Sequence, residues 1–362
     1  MIEKINELID EAIKDGAFPG ANYCLVAGGK VYTGCLGNRS LYPEKEPNSP
    51  DTLYDLASVT KVVCTTTAVM LLLESGRIRL YDPVANYLPE FRHKNILIWD
   101  LLTHSSGLPA DIPRAARLKS REETLDKIWM FDPVYEKNAK IVYSDIGFIL
   151  LGLTVEAASG MALDVFAREN IFKPLEMNDT GYNPRDKARC APTEERRDEI
   201  YDGYLRGDVH DEKAYILGGV AGHAGLFSTA ADLVHFIEMI LNGGVFRGRR
   251  FLSEPTVDLL FRPQVEMKTG VSLDCNRRGL GWILQGSYPS AGDLASPETI
   301  MHTGFTGTNI FIDKTNNVGF ALLTNRVHPT RANLKIIPFR SKLGNYIISH
   351  FYHRRKNGNQ KV

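Results

Sequence analysis

Strand-like sequence stands at the two ends of this chain and is missing from its middle, and that order constrains the fold more than any other feature. Near the N-terminus, "GANYCLVAGGKVYTGCLGNRS" (20–40) reads as two strands joined by a glycine turn. In the last third, "GLGWILQG" (279–286), "TGTNIFIDK" (306–314) and "VGFALLTNR" (318–326) are short β-type segments, with "DKTNN" (313–317) as a turn. The first residues carry Ile2, Ile5, Leu8, Ile9 and Ile13 at helical spacing, and "KLGNYIISHFYHRR" (342–355) closes the chain as a helix, followed by "KNGNQKV" (356–362), expected to be disordered.

Between these ends the pattern is helical and loop-rich. "DLASVTKVVCTTTAVMLLLE" (55–74) is a buried helix stopping near Gly76. "NILIWDLLTHSSGLPA" (95–110) is a short one, "SDIGFILLGLTVEAASG" (144–160) is strongly apolar and ends at Gly160, and "MALDVFARENIFKPLEM" (161–177) stops at Pro174. "GLFSTAADLVHFIEMILNGG" (225–244) is amphipathic, with Ser228 or Thr229 as N-cap. The economical α+β architecture is an antiparallel sheet built from both ends and flanked by the terminal helices. Residues 1–55 and 225–362 form that lobe, residues 56–224 form a mainly helical lobe, and the cleft between them is the expected site of a single catalytic unit.

Charge narrows the partners. Lysine and arginine number 43 against 43 acidic residues, so no single-sign field points to nucleic acid. The longest apolar run, "AVMLLL" (68–73), is too short to span a bilayer. The N-terminus lacks the apolar core and cleavage site of a signal peptide, and five scattered cysteines read as free thiols, so a cytoplasmic location is expected. The nine histidines show no ligand spacing, so no metal or other cofactor is expected. No Gly-x-Ser-x-Gly elbow or phosphate-binding Gly-Lys-Ser/Thr loop is present.

Chemistry is carried by Ser58 and Lys61. Three positions apart on a helix, they share a face, so the amine can accept the hydroxyl proton if it is sometimes neutral. The helix N-terminus favours a developing oxyanion nearby. The plainer alternative makes Ser58 a cap and Lys61 an ordinary first-turn residue. Two further stretches favour the chemical reading. Tyr143, in "YSD" (143–145), stands at the mouth of an apolar helix, where it can relay a proton; the alternative is a core tyrosine with Asp145 as N-cap. "HTG" (302–304) opens a strand, where Gly304 allows close approach of substrate to backbone and the Phe305 N–H can serve as an oxyanion donor. A literal "KTG" at 268–270 lacks a following alternating strand, so His302, Thr303 and Gly304 are preferred.

Taken in order, these three elements resemble the serine β-lactamase and penicillin-binding DD-peptidase superfamily, with its Ser-x-x-Lys, Ser-Asp-Asn and Lys-Thr-Gly set. The class C side, where Tyr-x-Asn replaces Ser-Asp-Asn, is the nearer. "LLTHSSGLP" (101–109), "GVAGHAGLFSTAADL" (219–233) and "HTGFTGTNIFID" (302–313) are similar to that group as well. The resemblance implies a β-lactamase/DD-peptidase-like fold and a serine hydrolase working through an acyl-enzyme. Ser58 would be the nucleophile, Lys61 its base and Tyr143 the proton shuttle. The Ser58 and Phe305 N–H groups would form the oxyanion hole, and Asp145, His302, Thr303 and Gly304 would line the substrate side. It implies a small-molecule or peptide substrate: an ester, a D-amino-acid peptide or a β-lactam. Oligomeric state stays open. The competing class is a non-catalytic penicillin- or peptide-binding protein of the same fold.

Two departures bear on the chemistry. Asp145 stands where the group usually has Asn; an ionised Asp only accepts, and it would hold Lys61 charged and weaken it as a base. His302 stands for the usual Lys and is mostly neutral at pH 7, which weakens carboxylate anchoring and points away from an efficient β-lactamase toward a carboxypeptidase or esterase. Arg326 is a candidate for the missing positive charge, and His104 and His223 are expected to hold loops.

Overall fold

Antiparallel pairing from both chain ends builds one sheet of nine strands in the computed structural model, which describes residues 1–268, 275–286 and 289–351. The strands are β1 (Gly20–Ala27), β2 (Lys30–Ser40), β3 (Glu46–Pro47), β4 (Val265–Lys268), β5 (Cys275–Arg278), β6 (Ile283–Leu284), β7 (Thr299–Thr303), β8 (Asn309–Asp313) and β9 (Val318–Thr324). Their spatial order is β4-β5-β6-β7-β8-β9-β1-β2-β3, so β1 pairs with β9 and joins the two ends of the chain. Thr269 and Gly270 of the second Thr-Gly stretch, and the tail 356–362, lie outside the described residues.

Local chemistry sets the registers. Gly28 and Gly29 take φ of 58° and 72°, the backbone that a two-residue hairpin between right-twisted strands requires, and Val26 faces Val31 across it. All eight residues of β1 are buried, because the sheet is covered on both faces. On one face lie α1 (Ile2–Lys14), inserting Ile5 and Ile9, and the C-terminal helix, inserting Leu343, Ile347 and Ile348. Each such side chain contributes about 1.5–3 kcal/mol by leaving water. On the other face one continuous apolar core runs from Cys24 and Val26 of the sheet into the helical middle of the chain.

Three middle elements matter for the site. The chain turns helical at Ala57 as a 3₁₀ turn, passes through a π-helical stretch Lys61–Thr66 and continues as α2 (Thr67–Glu74). This segment has the length and apolarity of a membrane span, yet 78% of it is buried inside the protein, as a core helix would be. Helix α3 (Asp145–Ser159) is capped by Ser144, whose hydroxyl accepts from Gly147 N at 3.1 Å, and it ends at Gly160 with φ of 73°. The N-cap is thus Ser144, and Asp145 is the first helical residue. Helix α4 (Ala230–Leu241) is capped by Thr229 and packs on β1 and β9, and the last helix, α5, spans Ile336–Phe351.

Helix α3 approaches the 219–223 loop at backbone distance. A Cβ on Gly222 would stand 2.1 Å from the Phe148 carbonyl oxygen and 2.9 Å from Gly152 N. Gly222 O also accepts from Thr65 Oγ1 at 2.6 Å, so this contact sets the spacing between α3 and the π-helical stretch. A Gly222→Ala substitution is therefore expected to destabilise the protein by about 1–3 kcal/mol, read as a lowered denaturant midpoint. An unchanged midpoint would mean that the loop relaxes away without cost.

Candidate active site

The site starts from a strained turn. Tyr54–Asp55 pairs with Leu226–Ser228, and Leu56 N donates to Leu226 O at 2.8 Å. Ala57 then adopts φ of 46°, a left-handed conformation that costs a non-glycine residue about 1–2 kcal/mol. The buried Asp55 carboxylate offsets this: one oxygen accepts from Ala57 N at 2.8 Å and the other from His210 N at 2.7 Å. Burial pushes the Asp55 carboxyl above the usual carboxylate range. Ser58 emerges half-buried from this turn, and no acceptor for its N–H occurs among the described residues.

Lys61 is completely buried. Its Nζ donates to Ser58 Oγ at 3.1 Å, Asp145 Oδ1 at 2.7 Å and His223 O at 2.9 Å. Three acceptors around three N–H bonds is the geometry of an ammonium, not of a free amine. Burial pulls the Lys61 pKa down, but Asp145 and Tyr143 outweigh it and hold it above the ordinary lysine value. Burial pushes the Asp145 carboxyl up, but Lys61 and Lys213 bring it below the usual range. Because Lys61 donates to the Ser58 oxygen, the serine proton is directed elsewhere.

Tyr143 is the candidate for that role: its ring lies 4.8 Å from Lys61 Nζ, and it lines the same cleft as Ser58. Burial raises its pKa, and the Lys61 charge opposes the rise without cancelling it. The loop carrying it is pinned from "LLTHSSGLPA": His104 Nδ1 accepts from Ser144 N at 3.1 Å, His104 O accepts from Val142 N at 2.8 Å, and the His104 ring lies 4.7 Å from that of Tyr143. His104 holds a loop, as its sequence context suggested. His223 does so through its Nε2, 2.7 Å from Asp211, while its carbonyl reaches the site through Lys61.

The Asp145 carboxylate is held by Lys61 at 2.7 Å and, at 3.2 Å, by Lys213. Lys213, itself buried, reaches Asp111 at 2.8 Å and Asp211 at 3.0 Å. The sequence reading missed Lys213, Asp111 and Asp211, since neither the ordinary charged spacing of "VHDEKAY" (209–215) nor the single acid in "LPADIP" (108–113) carries a signal of them. Asp145, Asp211 and His223 offer ligand atoms within 4.8 Å of one another, a spacing that suits a metal ion; the Lys61 and Lys213 ammoniums already supply positive charge there.

The facing wall is the end of β7 and the turn after it. A cleft of about 690 Å³ brings together Ser58, Tyr143, His302, Thr303, Gly304 and Phe305. Gly304 is needed for this approach: a Cβ there would stand 2.5 Å from Leu56 O and 3.3 Å from the Ala57 Cβ. Thr306 Oγ1 donates to Asp55 O at 2.8 Å and Thr308 Oγ1 to Leu56 O at 2.9 Å, so the turn grips the serine segment by its carbonyls. The two threonines were not singled out from sequence, although "TGFTGT" sets them around Gly307. Phe305 N–H has no acceptor among the described residues, which leaves it and Ser58 N–H available to an oxyanion.

Arg277, Arg278, Arg326 and Arg340 all line the cleft. Arg326 Nε donates to Phe305 O at 2.8 Å, and its Nη1 reaches Arg331 O and Asn333 O, so it holds backbone together. Arg278 of β5 lines the cleft, with its guanidinium carbon 5.9 Å from the Tyr143 ring. Its Nε donates to Asn276 at 3.2 Å, while its buried Nη1 has no partner among the described residues. Burial lowers its pKa to about 10, so it stays charged at neutral pH. Burial, with the Lys61 and Arg278 charges, brings His302 down to about 3, so this imidazole is neutral, and its Nδ1 is 3.0 Å from Thr303 O.

Comparison with known proteins agrees with this geometry. A model of the β-lactamase family matches residues 5–342. The N-acetylmuramyl-L-alanine amidase of Bacillus subtilis (strain 168) is 34% identical over 368 residues, spanning 90% of this chain and 81% of the relative. An Escherichia coli (strain K12) protein provisionally named D-alanyl-D-alanine carboxypeptidase is 34% identical over 370 residues, spanning 90% and 83%. A solved class C β-lactamase superposes with a TM-score of 0.74 at 18% identity, covering 99% of this chain and 97% of that one, a likeness of fold.

Two outcomes follow from this geometry. Asp145→Asn removes the charge that keeps Lys61 protonated while burial remains, so the Lys61 pKa falls. The falling limb of a kcat/KM–pH profile on an activated ester, where the Lys61 ammonium loses its proton, should then move to lower pH; superimposable profiles would remove Asp145 from the protonation chemistry. Gly304→Ala should lower kcat/KM by at least about 100-fold in folded protein, because the turn must back away from Ser58. Near wild-type activity would show that the turn's position is not critical.

Proposed function

The chain belongs to the β-lactamase family of serine hydrolases, and from that premise we propose that Ser58 forms an acyl-enzyme with a peptide-like amide whose leaving group ends in a carboxylate, the substrate chemistry of a DD-carboxypeptidase. The observation that carries this reading is Arg278, a buried cation in the cleft beside Tyr143 whose Nη1 has no partner among the described residues. It offers the anion contact that neutral His302 lacks. The names of the amidase and carboxypeptidase relatives support the same class.

The steps follow from the groups present. Ser58 Oγ attacks the amide carbonyl, and negative charge builds on the carbonyl oxygen facing the Ser58 and Phe305 N–H groups. The serine proton passes through Tyr143, the Lys61 ammonium stabilising the phenolate as it forms, and goes on to the leaving nitrogen as the C–N bond breaks. Arg278 holds the departing carboxylate. Water then attacks the ester, gives a proton to Ser58 through the same groups and releases the acid. A second reading, an esterase, is favoured by the neutrality of His302, since an ester leaving group needs neither a carboxylate clamp nor strong protonation. The non-catalytic binder differs from both by acylation without turnover.

Intact-mass measurement after a fluorescent penicillin or a fluorophosphonate should show an adduct on wild type and none on Ser58→Ala; no adduct on folded wild type with either reagent would overturn the acyl-enzyme. Arg278→Gln should lower kcat/KM at least about 10-fold for an acyl dipeptide with a free carboxylate and far less for the same peptide amidated. Equal losses on both would remove Arg278 from carboxylate recognition and leave the esterase reading.

A further inference from the structure

One buried residue touches the segments that carry both N–H groups of the oxyanion site. His210 N donates to Asp55 Oδ2 at 2.7 Å, and Asp55 Oδ1 accepts at 2.8 Å from the N–H of Ala57, the residue before Ser58. The His210 ring lies against the Phe305 ring, with centroids 5.5 Å apart and planes 24° from parallel. Phe305 is 48% exposed, and a half-exposed ring is fixed only by the contacts on its covered side; among the described residues His210 is the aromatic partner found there. The backbone of His210 thus serves the Ser58 side of the pair, and its ring serves the Phe305 side.

The imidazole is itself anchored. Its Nε2 lies 3.0 Å from Glu194 Oε2. Burial pushes the Glu194 carboxyl up, but the bonds from His210 and Arg331 bring it down to about 2, so at neutral pH it is a carboxylate and only accepts. Nε2 therefore carries the proton of this bond. Arg331 grips the same carboxylate through its N at 3.0 Å and its Nε at 2.7 Å, and its guanidinium carbon stands 5.8 Å from the Phe305 ring. Arg326, 4.4 Å from that ring, donates through Nε to Phe305 O at 2.8 Å. We propose that His210 is a positioning residue: its ring, anchored by Glu194, holds the Phe305 N–H at the spacing from the Ser58 N–H that an oxyanion needs. This proposal rests on the acyl-enzyme reading above, in which those two N–H groups receive the developing charge.

The test compares a p-nitrophenyl ester with the matching thionoester, whose sulfur accepts hydrogen bonds weakly and so gains little from the two N–H groups. Wild type should prefer the ester by at least about 100-fold in kcat/KM. His210→Ala keeps the main-chain bond to Asp55 and removes the ring. It should lower kcat for the ester at least about 10-fold with KM little changed, and slow the thionoester less than about threefold, since a displaced donor costs part of what a lost one does. His210→Phe puts a ring back and should bring the ester preference to within about threefold of wild type. Phe305→Ala keeps the N–H but not the ring; it should lose ester preference as His210→Ala does, and the double variant should lose no more than either. A wild type without ester preference, equal losses on both substrates in folded His210→Ala, no recovery in His210→Phe, an unchanged preference in Phe305→Ala, or full additivity overturns the positioning role alone. Absence of hydrolysis of both substrates together with absence of a Ser58 adduct in wild type overturns the acyl-enzyme reading and the positioning role with it.

Discussion

A lysine ammonium with no exposure to solvent is the group around which the rest is arranged. Removing such a charge from water costs several kcal/mol, and the cost is met only if partners surround it. Asp145 supplies the opposite charge at 2.7 Å, and Ser58 Oγ and His223 O complete the set. Asp145 then needs more than one partner, and Lys213 provides the second, with Asp111 and Asp211 balancing it in turn. The charges alternate in sign from the nucleophile helix through the start of α3 to the 211–223 loop. Each segment is held where the others need it, so the position of Ser58 is a consequence of charge satisfaction across three parts of the chain.

The same arrangement constrains the chemistry. A lysine engaged by three acceptors donates to the serine oxygen and does not withdraw its proton. The tyrosine facing both groups is left as the route out, and burial keeps it protonated at rest. Both candidate bases are thus held above their ordinary pKa values. Substrate binding, which brings the leaving nitrogen and a carboxylate for Arg278, would complete the proton path. Opposite the serine, the grip of Thr306 and Thr308 on the carbonyls of Asp55 and Leu56, with Gly304 close against Leu56 O, fixes the gap between two N–H groups that have no other acceptor among the described residues.

Much of this was legible in sequence because it is local. Alternation along 20–40 and 299–326, the Gly28-Gly29 and "DKTNN" turns, and the caps at Thr229 and Gly160 each follow from a few adjacent residues. Ser58, Lys61 and Tyr143 were picked out by helix period and position, whereas "HTG", read as opening a strand, ends β7 instead, and the next strand begins only at Asn309. The charge on Lys61 was anticipated from Asp145 alone. What was not legible depends on distance in the fold. Lys213 is 68 residues beyond Asp145 and 152 beyond Lys61, and nothing in "VHDEKAY" marks it as buried. Arg326, a candidate for the missing positive charge, lines the cleft with its Nε and Nη1 on backbone carbonyls, while Arg278 faces the site from a strand whose pairing the sequence pattern did not reveal. Asp145 was read as lining the substrate side; its pairing with Lys213 was not legible.

The most direct test of this account is the ionisation of Lys61 itself, followed by NMR of lysine labelled at Nζ, with Lys61→Arg to assign the signal. The account predicts an ammonium signal that persists across neutral pH and up to at least the ordinary lysine range, because Asp145 outweighs burial. A Lys61 that loses its proton near pH 7 would contradict it: the amine would then be the ready base, and the ion pair with Asp145 would not be the interaction that organises the site.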